Sequence, residues 1–208
     1  MKVKVKVPAT SANLGPGFDV AGLALTLYNT FTFELADQGL NITGCPEQFC
    51  NEENMTYQAF KQAAEICGLE YQGVNIECSG DVPYTRGLGS SSTCIVAGIV
   101  GAFAFKDKVE DRQEILELAT AIEGHPDNVA PAIFGGLTVS VMEEDNVLTL
   151  NIPVKHDYRF VTLIPPFTLS TEQSRSVLPQ VLPRADAIKN VSHLALMVAS
   201  LINGYDEG

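Results

Sequence analysis

A mixed α+β fold is what this sequence predicts, and three observations carry that reading. Residues 2–7 alternate lysine with valine at period two, the pattern of a strand with one solvated face. Residues 54–67 and 111–124 repeat apolar side chains at helical spacing. The regular strand-helix-strand alternation of a doubly wound parallel sheet is missing from the rest.

After the first strand, residues 11–19 gather Gly15, Pro16 and Gly17 into a rigid loop ahead of a second buried segment at 20–27. Residues 40–50 read as a connector. The first helix, 54–67, carries Met55, Ala59, Phe60, Ala63 and Cys67 on its apolar side, with Gly68 suited to end it. Val74, Ile76 and Val82 mark a strand-like run, and residues 93–105 a long apolar helix. In the helix at 111–124, Ile115, Leu118, Ala119 and Ile122 share one face, while Glu114 and Glu117 fall on another side. Residues 137–141, 147–152 and 159–164 read as strands, the last closed by Pro165 and Pro166. A final helix-like run covers 191–202. No internal repeat, heptad array or low-complexity tract appears, and no linker is long enough to mark independent domains.

At 208 residues and 46% apolar composition, the chain can bury the core of one large domain or one and a half. No apolar run reaches bilayer length free of polar residues, and the lysine-valine alternation is not a signal peptide, so the expectation is a cytoplasmic protein with no membrane partner. A formal charge of −12 repels nucleic acid and acidic membrane surfaces. Small molecules are the expected partners, with any anion held by local groups. The five cysteines, Cys45, Cys50, Cys67, Cys78 and Cys94, form no C-x-x-C pair and read as buried free thiols. Three scattered histidines give no basis for a zinc site.

The chemistry concentrates in residues 83–92, PYTRGLGSSS, between the strand-like run and the apolar helix. A helix N-terminus offers unpaired N–H groups and partial positive charge, and Gly87 and Gly89 let the backbone approach an anion. Ser90, Ser91 and Ser92 add hydroxyls for phosphate or a metal ion, and Arg86 a fixed positive charge. An ordinary turn with a serine N-cap fits the same letters. A Walker A loop does not, because the nearest following lysine is Lys106. A dinucleotide fingerprint needs glycine where Ser92 stands.

The string from Pro83 to Ser92 resembles the phosphate-binding motif of the galactokinase, homoserine kinase, mevalonate kinase and phosphomevalonate kinase (GHMP) superfamily. Three further segments carry the likeness: PATSANLGPGFDVAGLAL from Pro8, EGHPDNVAPAIFGG from Glu123 and STEQSRSVLP from Ser170. Four matches in the family's order, from Pro8 to Leu182, are most similar to the homoserine kinases.

That resemblance implies a two-domain fold: an N-terminal ribosomal protein S5 domain 2-like domain over residues 1–155, then a ferredoxin-like C-terminal domain beginning at 156–208, with the active site between them. Homoserine kinases are about half as long again and carry a third glycine-rich motif and a substrate-binding arginine beyond the position of Gly208. The second domain is therefore expected to be incomplete, which leaves turnover by this chain open.

The implied reaction moves the γ-phosphoryl group of ATP to the side-chain hydroxyl of L-homoserine, giving O-phospho-L-homoserine on the way to threonine. By resemblance, ATP is held by Asn54 and by Pro83, Tyr84, Thr85, Arg86, Gly87, Leu88, Gly89, Ser90, Ser91 and Ser92. Mg2+ falls to Ser90 or Ser91 with Glu117. L-homoserine falls to Asn13, Asp19, His125, Asp127, Asn128, Thr171 and Arg175, with Asp19 and Asp127 towards its ammonium and Arg175 towards its carboxylate. Asn13 and Arg175 are the catalytic candidates, and no general base is assigned. A homodimer is a family trait.

Plain structural roles remain open beside these. Asp127 can cap a helix, Asn13 hold the glycine turn, Asn54 cap the first helix, Glu117 be a solvated carboxylate and Arg175 a surface charge. Other readings are a sister GHMP-type kinase, a nucleotide-binding fragment without turnover, or a noncatalytic interaction module.

Overall fold

The computed structural model describes residues 1–109, 111–144, 146–164 and 171–205, the side chains of 171–173 excepted. Strand β1 (Lys2–Ala12) pairs antiparallel along the length of β2 (Ala21–Ala36), with an irregularity between Pro8 and Thr10. On its other edge β2 is shared: residues 29–36 pair with β4 (Gly73–Gly80), and residues 21–23 with β5 (Leu137–Glu143). Strand β3 (Gly39–Thr43) lies parallel to β4, and β6 (Asn146–Ile152) antiparallel to β5. The period-two pattern of β1 works as its sequence suggests. Val5 and Val7 enter the core, while the exposed Lys2 reaches Glu34 at 3.4 Å.

Helix α1 (Met55–Cys67) starts where the Asn54 side chain accepts from the Thr56 and Tyr57 amides, and ends at Gly68 with φ 68°. Helix α2 (Ser90–Ala104) begins at Gly89 and runs through the middle of the core, passing so close to α1 that a Cβ on Gly98 would lie 2.3 Å from the Thr56 carbonyl oxygen. Helix α3 (Arg112–Glu123) is capped by Asp111 and closed by Gly124. The short α4 (Pro126–Phe134) follows at once. Sheet and helices enclose one apolar core in which Phe33 stacks on Phe60 at 5.5 Å and Ile95, Ile99, Phe103, Leu116 and Val129 are fully buried.

Four sequence readings need correction. The connector at 40–50 holds most of β3 and a 3-10 turn, Glu47–Phe49. Residues 20–27 are only the first half of a strand that runs to Ala36. Residues 159–164 form no strand, since none of the described strands lies beside them to satisfy their backbone; Pro165 and Pro166 lie outside the described residues. Cysteines 45, 50 and 94 are not buried as expected, 45 and 94 being partly exposed and 50 exposed.

Beyond β6 the described chain contains α5 (Thr171–Ser176) and α6 (Arg184–Asn203), which buries none of its residues. It is tied to the body by Asn190 Nδ2, which donates to the Pro16 carbonyl at 2.9 Å. At 20 residues and mean hydropathy 1.2, α6 is long and apolar enough to cross a membrane, although polar residues interrupt its apolar run as the sequence reading has it. Length and composition alone do not make a span, and Arg184, Asp186 and Lys189 lie within it.

Candidate active site

The loop between β4 and α2 is fixed from beneath. Leu88 is buried with Ala9 and Val82, and its carbonyl accepts from the Thr10 amide at 3.1 Å. Above that anchor the backbone turns left-handed at Thr85, Gly87 and Gly89, with φ of 54°, 70° and 66°. At Gly89 only glycine fits, because a Cβ would fall 2.0 Å from the Thr10 hydroxyl. No side chain caps α2, so its first amide groups face the cleft uncapped by any side chain.

Thr10 also donates from its hydroxyl to Asn128 Oδ1 at 2.8 Å, joining β1 to the start of α4. Glu123, the last residue of α3, accepts from Ser91 at 2.7 Å and from Ser92 at 3.0 Å. This carboxylate-hydroxyl cluster sits at the mouth of the loop, and its hard oxygen donors suit a magnesium ion.

The opposite wall carries a denser set of charges. In the loop before β2, Asn13 and Asp19 adopt positive φ, and Asn13 Oδ1 accepts from the Asp19 amide at 3.0 Å. The Asp19 carboxylate receives both ends of the Arg175 guanidinium, one at 3.0 Å, and Arg175 lies 5.2 Å over the Phe18 ring. His125 Nδ1 meets Asp127 Oδ1 at 2.5 Å, and Asp127 is 1% exposed. That hydrogen bond raises the His125 pKa against the opposing effect of burial. Donor atoms of Asp19, His125 and Asp127 lie within 4.8 Å of one another.

Helix α4 reaches this wall through an unusual contact. Pro131 has no N–H for the Asp127 carbonyl, and that oxygen turns to Gly22 of β2, where a Cβ would approach it to 1.7 Å.

One cleft of about 730 Å³ brings together Asn13, Asp19, Thr85, Arg86, Gly87, Gly89, Ser90, Ser91, His125, Asp127, Asn128 and Arg175 from the expected set. Phe18, Glu123, Ser174 and Leu178 line it too, and sequence reasoning had given them no role. Pro83, Tyr84, Leu88 and Ser92 are not in its lining. Leu88 anchors the loop, Ser92 supports Glu123, and Tyr84 packs on Phe49 at 5.9 Å, with burial pushing its pKa up to about 12. Asn54 spends both side-chain groups on capping and on the Phe49 carbonyl. Thr171 opens α5, but its side chain lies outside the described residues.

Glu117 is half-buried on α3 and lies outside the cleft lining; its carboxylate accepts from Gln113 at 2.7 Å, while Glu123, six residues further along, is the acid that reaches the serines. The readable signal was position: Glu123 ends α3 directly before His125, where the chain returns to the cleft.

The GHMP kinases N terminal domain family matches residues 54–136. The fold and the uncapped loop facing a charged wall define a small-molecule kinase of that class. Phosphomevalonate kinase from Streptococcus pneumoniae shares the fold with a TM-score of 0.72 at 10% identity, over 100% of this chain and 75% of that one. A homoserine kinase structure from Cytophaga hutchinsonii superposes with a TM-score of 0.80 at 27% identity, covering 98% of this chain and 68% of that one. In sequence, the homoserine kinase of Clostridium beijerinckii is 50% identical over 203 residues, 97% of this chain and 68% of that protein. A homoserine kinase of Clostridium botulinum is 47% identical over 206 residues, 98% of this chain and 69% of that protein. The chain belongs to the homoserine kinase family.

Proposed function

We propose that the cleft transfers the γ-phosphoryl group of ATP to the side-chain hydroxyl of L-homoserine, giving O-phospho-L-homoserine. The observation that carries the reading is the Asp19–Arg175 pair facing the amide-lined loop across one cleft. An α-amino acid zwitterion is the mirror of that pair. Its ammonium replaces Arg175 on Asp19, and its carboxylate replaces Asp19 on Arg175, so each protein charge exchanges one partner for another. Buried Asp127, with His125 and Asn128, supplies further polar contacts to the ammonium side and to the hydroxyl.

The loop from Thr85 to Ser91 cradles the phosphates with backbone N–H groups, and Arg86 adds charge. Ser91 and Glu123 are the residues suited to hold Mg2+, which when bound neutralises phosphate charge. Asn13 holds the Asp19 loop at the acceptor position, and Arg175 positions the substrate. Catalysis then rests on in-line placement and charge stabilisation, without an assigned base. The net charge of −12 supports small-molecule partners rather than nucleic acid. Homodimerisation is a family expectation that light scattering checks.

ADP formation with Mg-ATP and L-homoserine, mevalonate, galactose or no acceptor tests the reading. Turnover dependent on L-homoserine alone is expected, and preference for mevalonate or galactose overturns it. Saturable nucleotide binding with no turnover favours the fragment reading, which the 68% coverage of the relative keeps open.

A further inference from the structure

Cys45 and Cys50 bracket the 3-10 turn Glu47–Phe49 after β3, away from the reacting wall of the cleft. Their sulfurs stand 3.5 Å apart. A disulfide needs about 2.05 Å, so closure asks for roughly 1.5 Å of travel. Cys45 follows the end of β3 by two residues and Cys50 closes the turn, so neither is locked inside a strand or helix.

Exposure divides the roles. Cys50 is exposed, its sulfur 3.7 Å from the Cys45 and Pro46 carbonyl oxygens. Cys45 is partly covered, and burial pushes its pKa up to about 11. The remaining thiols differ. Cys67 and Cys78 are buried, and Cys94 sits within α2.

We propose that Cys45 and Cys50 form a dithiol modification site that closes to an intramolecular disulfide by exchange with a low-molecular-weight disulfide such as glutathione disulfide. The Cys50 thiolate attacks one glutathione sulfur and breaks the glutathione S–S bond, releasing one glutathione thiolate and leaving a mixed disulfide on Cys50. Cys45 then attacks the Cys50 sulfur and expels the second glutathione. Two protein S–H bonds and one glutathione S–S bond become one protein S–S bond and two glutathione thiols, which carry the two protons. The protein is oxidised and glutathione reduced. The bridge would fix the turn carrying Phe49, whose ring packs on Tyr84 at the start of the phosphate loop.

The test equilibrates the full chain with glutathione and glutathione disulfide at graded ratios, then applies acid quench, alkylation, intact mass and peptide mapping. The expected result is loss of two hydrogens, a Cys45–Cys50 cross-linked peptide, and alkylation of Cys67, Cys78 and Cys94 after denaturation. Cys45→Ser should instead stop at a stable glutathione adduct on Cys50. A glutathione adduct that persists on Cys50 in the unaltered chain, a bridge from Cys45 to Cys78, or no reaction at all would each overturn the proposal.

Discussion

Helices α2 and α6 are both apolar, yet ten residues of α2 are buried while α6 buries none of its 20. Helix α2 earns its place through small residues: Gly98 lets α1 approach, and Gly101 makes room for the Phe33 ring. Helix α6 exposes Ile188, Val191 and Leu196 instead. Apolar composition states only that a helix needs a neighbour. What makes α2 part of the core is the set of partners from strands and helices on every side of it.

The sharpest way to break that contrast is truncation of one large side chain in each region. Phe60→Ala removes a ring stacked on Phe33 and is expected to cost about 3–5 kcal/mol, whereas Leu196→Ala should stay within about 0.5 kcal/mol. Urea midpoints decide it, and a cost of core size at Leu196 would show that α6 is buried in solution.

A smaller effect probes where the exposed region touches the body. Arg175→Ala should weaken L-homoserine binding by about 1.5–3 kcal/mol, on the order of 10–150-fold in Kd, with little change in the unfolding midpoint. Arg175→Lys should recover only part of the loss, because it lacks the two-pronged fork. Calorimetry with L-homoserine in the presence of Mg-nucleotide reads both.

Within the body, Thr10→Val leaves Asn128 Oδ1 without its donor and is expected to cost about 1–2 kcal/mol, with Thr10→Ser restoring most of it. Unfolding midpoints and nucleotide affinity together distinguish a local from a general defect.

The gentlest test is pH. The raised His125 pKa means its pair with Asp127 contributes stability in full below about 6.5, the unfolded value, and loses that contribution as pH rises through the folded value. The stability difference between the unaltered chain and His125→Gln should therefore shrink with rising pH. NMR titration should show Asp127→Asn lowering the His125 pKa.

What could be read in the sequence had local causes. Helices α1 and α3 announce themselves through Asn54 with Gly68 and Asp111 with Gly124, and the GLGSSS loop through its glycines and the helix after it. Helix α4 hides because Pro131 sits inside it; only the close approach of Gly22 to the Asp127 carbonyl shows how this part of the helix packs on β2. That Glu123 meets Ser91 and Ser92 depends on how α3 packs beside α2, which periodicity does not reveal. The Arg175–Asp19 pair spans 156 residues and belongs to tertiary structure alone.

Strand β2 carries a further consequence for the growing chain. Its residues 22–24 find β1 at once, but the other edge of residues 21–23 waits for β5, whose pairing residue Val139 lies more than a hundred positions downstream of Ala21. At about 5–20 residues per second, ribosomal synthesis leaves that edge open for roughly 6–24 s. Protease digestion of ribosome-stalled chains should find the Ala21–Leu23 segment cut readily before β5 emerges and protected afterwards.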